Sequence, residues 1–126
     1  MNLNKNTKVV FADDSDIHHF LLKNLIPQFA SLELVCHASD GDELLRMIDR
    51  HRDIPDVAIL DLHMPRLNGN LTAKELLARF PKIKIYGFTS SSDEKERSAM
   101  LRYGFCKVYS KNQLRDLLTE IASLSL

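Results

Sequence analysis

Five short apolar runs, regularly separated by longer segments with helical spacing, constrain this chain more than any other feature. The runs are Val9 to Ala12, Leu32 to His37, Val57 to Leu60, Ile83 to Phe88 and Cys106 to Tyr109. Apolar runs of four to six residues that alternate with amphipathic segments are the pattern of a parallel sheet built from βαβ units. The third run is apolar throughout, as a strand covered on both faces must be, and is expected at the centre of the sheet. Between the runs, Ile17, Phe20, Leu21 and Leu25 form the predicted buried stripe of a first helix, and Leu44, Leu45 and Ile48 that of a second. A third helix is expected over Leu71 to Phe80, with Leu76, Leu77 and Phe80 inward, ending before Pro81. The fourth should run from about Asp93 to Tyr103, started by a Ser91/Glu94 capping box and stopped by Gly104. The fifth should run from about Gln113 to Leu124, with Leu114, Leu117, Leu118 and Ile121 on one face.

This strict alternation predicts a doubly wound α/β fold: a five-stranded parallel sheet, (βα)5, in a single domain over residues 1–126, with a core of about 7–124. The four glycines, at 41, 69, 87 and 104, form no phosphate loop, so a dinucleotide-binding version of this architecture is disfavoured. Seventeen basic residues balance seventeen acidic ones, and a neutral chain has no broad field to draw in nucleic acid or an anionic membrane. No apolar run approaches the roughly 20 residues of a membrane span, and Met1 to Lys8 lacks a signal-peptide pattern, so a cytosolic (cytoplasmic) protein is expected. Cys36 and Cys106 stand apart in apolar runs and are read as small buried side chains.

In doubly wound folds the functional site lies beyond the carboxyl ends of the strands. Asp13 and Asp14 follow the first run, Asp61 the third, Thr89 and Ser90 the fourth, and Lys111 the fifth. Three carboxylates gathered at one rim repel one another unless a cation sits among them, and an all-oxygen set suits Mg²⁺. An acidic residue after a strand is equally an N-cap for the next helix, and Asp13 or Asp14 fits that role. Asp61 instead precedes a loop, Leu62-His63-Met64-Pro65, and has no helix to cap. His18, His19, His37 and His51 show no metal-ligand spacing, and adjacent His18 and His19 cannot both face one site, so all four are read as structural or solvated.

The segment Asp61-Leu62-His63-Met64-Pro65-Arg66-Leu67-Asn68-Gly69 resembles the D-x-x-M-P-x-x-x-G of response-regulator receiver domains in two-component systems. The resemblance extends from Val9 to about Leu124. It implies a CheY-like (flavodoxin-like) fold, with Asp61 as phosphoacceptor, Asp13 and Asp14 as the acidic pair that binds Mg²⁺, and the backbone carbonyl of His63 as a further metal ligand. It also implies that Thr89 senses the phosphoryl group and that Lys111 pairs with it. The implied partners are a sensor histidine kinase or a phosphotransfer protein, with a phosphorylation-dependent homodimer as a further expectation. The resemblance is strongest to receivers of the NarL/LuxR class, which implies transcriptional output through an effector domain not in this chain. The chain then acts as a phosphoprotein switch, not as an enzyme. An aspartyl-nucleophile phosphatase is the enzymatic alternative, but that group resembles D-x-D-x-T after the first strand, whereas Asp61 follows the third. A receiver-like interaction module without phosphotransfer is the other. Three positions depart from the family's pattern: Val108 where an aromatic residue is common, Asn112 where proline often follows the lysine, and Ser90 in place of the usual alanine.

Overall fold

A computed structural model describes residues 6–124 and 126; residues 1–5, which open the segment read for a signal peptide, and 125 lie outside the described residues. Among the described residues five strands and five α-helices alternate: β1 (Thr7–Ala12), α1 (Asp16–Leu25), β2 (Leu32–Ala38), α2 (Gly41–His51), β3 (Val57–Leu60), α3 (Gly69–Arg79), β4 (Lys84–Thr89), α4 (Glu94–Arg102), β5 (Lys107–Ser110) and α5 (Leu114–Ala122), with a short 3-10 turn at Ile26–Gln28 after α1. All pairings are parallel, in the order β2-β1-β3-β4-β5. Strand order reverses at β1/β3, so the chain leaves these two neighbouring strands on opposite faces and opens a crevice beyond their carboxyl ends. β3 is central, and all four of its side chains are buried, as its unbroken apolar run requires.

Alternation along the strands divides the core into two layers. Val10, Ala12, Ala58 and Leu60 pack against Leu44, Leu45 and Ile48 of α2, Ala73 and Leu76 of α3, and Met100 of α4. Val9, Phe11, Ile59 and Phe88 pack on the other face against Leu22 of α1 and Leu114, Leu117, Leu118 and Ile121 of α5. Each fully buried valine, leucine, isoleucine, methionine or phenylalanine among them contributes about 1.5–3 kcal/mol. Among the described residues, no helix is long and apolar enough to cross a membrane.

Three expectations need correction. In α1 three of the four residues of the predicted stripe face outward: Ile17, Phe20 and Leu21 are 60%, 62% and 44% exposed, while half-buried Leu25 packs on the core beside the fully buried Leu22. The helix carries a second set at the same period, His18, Leu22 and Leu25, continued by Ile26 just past its end, and the two histidine rings accompany it inward by packing edge-on to phenylalanines. His19 lies 4.9 Å from Phe11 and His18 lies 5.6 Å from Phe88, ring centre to ring centre. In α4 the cap is Asp93, whose carboxylate accepts from Lys95 N at 2.8 Å. The Ser91 hydroxyl is committed elsewhere, accepting from Asp93 N and donating to Glu96, so the expected capping box does not form. Cys36 is buried, but Cys106 is exposed, because it lies just before the edge strand β5.

Two glycines are required by the backbone. Gly104 ends α4 at φ +104°, the left-handed conformation that non-glycine residues rarely adopt. A Cβ on Gly69 would stand 2.2 Å from the carbonyl oxygen of Asp61, so only glycine lets the start of α3 close on the end of β3.

Candidate functional site

The β1/β3 pairing carries the site. Ala12 and Leu60 are register partners, and the Asp61 amide donates to the Ala12 carbonyl at 3.0 Å, which sets the residues after each strand side by side. One carboxylate oxygen from each of Asp13, Asp14 and Asp61 lies within 4.8 Å of the others. Asp13 is fully buried, Asp61 is buried and Asp14 is exposed, so the group opens to solvent on the Asp14 side. The carboxylates have separate surroundings. Asp13 Oδ1 accepts from Ser15 N at 2.9 Å, and Asp13 Oδ2 is bonded to the Lys111 ammonium. Asp61 Oδ1 accepts from Leu62 N at 2.8 Å, leaving Asp61 Oδ2 facing Lys111 at 3.8 Å. The N-cap position of α1 is Ser15, without a side-chain bond, so neither Asp13 nor Asp14 caps that helix.

Burial pushes the Asp61 carboxyl up to about 6; Lys111 opposes the rise, and the carboxylates of Asp13 and Asp14 add to it. A cation among the three would relieve that repulsion, and the donor set, carboxylate oxygen only, fits a hard divalent ion such as Mg²⁺. Lys111 is fixed from two sides, since its ammonium also sits 4.8 Å above the centre of the Phe88 ring.

Thr89 is buried at the end of β4, and its hydroxyl oxygen accepts from Ser91 N at 3.1 Å. The loop after β4 is in turn bound to α4. Ser91 Oγ donates to Glu96 at 2.6 Å, and Arg97 donates from Nε to the Ser91 carbonyl at 2.9 Å and from Nη2 to Ser110 Oγ at 2.8 Å. His63 lies in the exposed loop after β3, and its ring pairs with Glu96 at 2.9 Å. Val108 is half-buried against the α2/α3/α4 layer, while Tyr109 points to the opposite face and donates to Glu120 at 2.7 Å.

Two further residues border the site: His18, read from the sequence as structural or solvated, and Arg97, for which no expectation was made. His18 stands at the rim, with Nδ1 3.2 Å from the Lys111 ammonium and 3.7 Å from Asp13 Oδ2. Burial first, then Lys111, hold its pKa below the ordinary value, which favours the neutral ring that can accept from the ammonium. A helical side chain leans toward the N-terminus of its helix, so a residue one turn into α1 overhangs the strand end before it, and that spacing was the available signal. Arg97 carried no comparable signal, because its partners come from β5 and from the loop after β4.

The chain matches the response regulator receiver domain family over residues 9–123. It is 37% identical over 112 residues to the uncharacterized transcriptional regulatory protein YhcZ of Bacillus subtilis (strain 168), covering 86% of this chain and 48% of that protein. It is 34% identical over 99 residues to a protein-glutamate methylesterase/protein-glutamine glutaminase of Pyrococcus abyssi (strain GE5 / Orsay), covering 77% of this chain and 26% of that one. The chain thus spans about half the length of the regulator and less of the methylesterase. In fold it is similar to the signal receiver domain of the response regulator NarL from Mycobacterium tuberculosis, with TM-score 0.82, 22% identity and 93% of each chain covered.

Proposed function

The chain belongs to the response regulator receiver domains, and from that premise we propose that Asp61 accepts a phosphoryl group from the phosphohistidine of a sensor kinase or phosphotransfer protein. The observation that carries this reading is the buried Asp61 carboxylate, held in one orientation by Leu62 N and flanked by two carboxylates and a fixed ammonium. Asp13, Asp14, Asp61 and the backbone carbonyl of His63 would hold Mg²⁺, which when bound neutralises charge on the phosphoryl oxygens.

The residues of the chain do the rest. Asp61 Oδ2, the oxygen not engaged by Leu62, attacks phosphorus; the P–N bond to the donor breaks, and the imidazole leaves with the bonding pair. Lys111 supplies a positive charge to a phosphoryl oxygen, and its bonds to Asp13 and His18 keep it in place beforehand. Thr89 accepts from Ser91, so its own hydrogen is available to donate to the phosphate, and a Thr89 shift in that direction pulls on Ser91. Ser91 is tied to Glu96 and Arg97, so the pull reaches α4 and, through Ser110, β5. The chain is in this reading a stoichiometric acceptor in the cytosol, whose phosphorylated α4–β5–α5 face pairs with a second copy and directs transcription through an effector domain. Ile17, Phe20 and Leu21 offer a protein donor an apolar face beside the site.

Intact-protein mass after incubation with acetyl phosphate and Mg²⁺ tests the acceptor chemistry. A phosphoryl-sized gain that requires both the metal and Asp61, and is lost in Asp61→Ala, is expected. No gain in the wild type with several small phosphodonors and a candidate kinase would leave an interaction module instead.

A further inference from the structure

Beside the acidic rim, a titratable cluster on α1 and β2 is used by no step of the phosphoryl transfer above. His37 lies on the face of β2 that looks toward α1, and its Nδ1 stands 3.1 Å from Nδ1 of His19. The remaining nitrogen of His19, Nε2, is 2.7 Å from the backbone carbonyl of Asp13. A carbonyl only accepts, so Nε2 carries the proton and Nδ1 of a neutral His19 presents a lone pair. A ring whose far N–H is held by a backbone carbonyl is the arrangement found behind metal-bound histidines, where it fixes the tautomer and the ring orientation. Both rings face a pocket of about 380 Å³ between α1 and β2, lined also by Asp16, Lys23, Ser39 and Glu43.

We propose that His19 and His37 form a two-imidazole site for a borderline transition-metal cation, of the Zn²⁺, Cu²⁺ or Ni²⁺ class, separate from the acidic Mg²⁺ site. At metal–nitrogen bonds of roughly 2.05 Å, a 3.1 Å separation of the two nitrogens corresponds to an angle of about 98° at the ion, between the square-planar and tetrahedral values. The proton now between the two Nδ1 atoms moves to Nε2 of His37 by a tautomer shift, so binding through both lone pairs needs no net proton release. Imidazole nitrogens favour these ions over Mg²⁺, whereas the acidic rim offers oxygen donors only, which suit Mg²⁺ and which Mg²⁺ in excess keeps filled. Burial, His19 and Lys23 depress the His37 pKa, which favours the neutral ring that a metal needs. Lys23 opposes a cation here, while Asp16 and Glu43 in the same pocket offset it; the Glu43 Oε1 oxygen is already engaged by Ser39 N at 3.0 Å. Water completes the coordination on the open side.

This inference does not depend on Asp61 chemistry. It is tested by titrating the full chain with Zn²⁺ in excess Mg²⁺, calorimetrically, and with Cu²⁺ by electron paramagnetic resonance. One equivalent of Zn²⁺ should bind, weakened about tenfold or more in both His19→Gln and His37→Gln, and the Cu²⁺ spectrum should carry splitting from two imidazole nitrogens. Proton–nitrogen spectra of the wild-type rings give the same answer without any variant: His19 and His37 signals should shift on adding Zn²⁺ while those of His51 stay. Unchanged affinity in both variants, His19 and His37 signals that do not move, or Zn²⁺ binding that vanishes in Asp14→Asn would overturn the proposal.

Discussion

Helices α1 and α5 lie on the same face of the sheet, yet use their apolar residues in opposite ways. α5 turns Leu114, Leu117, Leu118 and Ile121 into the core. α1 buries Leu22 and leaves Ile17, Phe20 and Leu21 in solvent, giving its inward positions in part to His18 and His19. Replacing aliphatic packing with two imidazoles costs burial, and in return polar atoms reach the rim at Asp13 and Lys111. α5 therefore serves mainly the stability of the fold, and α1 serves the site.

The largest effect that separates the two helices is a core truncation. Leu118→Ala should lower stability by about 2–5 kcal/mol, since a fully buried leucine leaves a cavity. Urea unfolding monitored by circular dichroism measures it. A loss below about 1 kcal/mol, the range of ordinary surface changes, would mean that α5 is not the support its burial implies.

Asp61 is a second place where function opposes stability. Its folded carboxyl titrates at about 6 against 3.8 for the free group, so folding favours the protonated form. Well below pH 3.8 the side chain is neutral in both states and burial carries no charge penalty; the penalty builds as pH rises above that value and is complete above about 6. A rise of this size corresponds to about 3 kcal/mol. Asp61→Asn should accordingly stabilise the metal-free chain by about that amount at pH 7.5 and by only about 0.5 kcal/mol at pH 4, with Mg²⁺ narrowing the gap at the higher pH. Equal stabilisation at both values would mean that the charge is not the cause.

The pattern of strands and the grouping of Asp13, Asp14, Asp61, Thr89 and Lys111 at one rim were legible in the sequence, because alternation alone fixes which residues follow the strands. Phase and long-range pairing were not. α1 carries two apolar sets at helical spacing, and what selects between them is Phe11 on β1 and Phe88 on β4, which no local window contains. The start of α4 failed for a related reason: Ser91 and Glu94 fit a capping box, but Ser91 is drawn to Glu96 and Asp93 takes the cap. Asp93→Ala should therefore destabilise by about 1 kcal/mol through loss of a cap, a difference visible in the urea midpoint.

The smallest expected change in stability is the sharpest test of the contrast between the helices. Phe20 is 62% exposed, so Phe20→Ser should alter unfolding free energy by no more than about 0.5 kcal/mol. If the outward face of α1 receives the protein donor, the same change slows phosphoryl transfer from a cognate kinase and leaves the rate from acetyl phosphate unaltered, because a small donor reaches Asp61 without touching α1. Equal slowing with both donors would place the effect in the site and not on a docking face; a large loss of stability would mean that α1, like α5, holds the fold through this side of the helix.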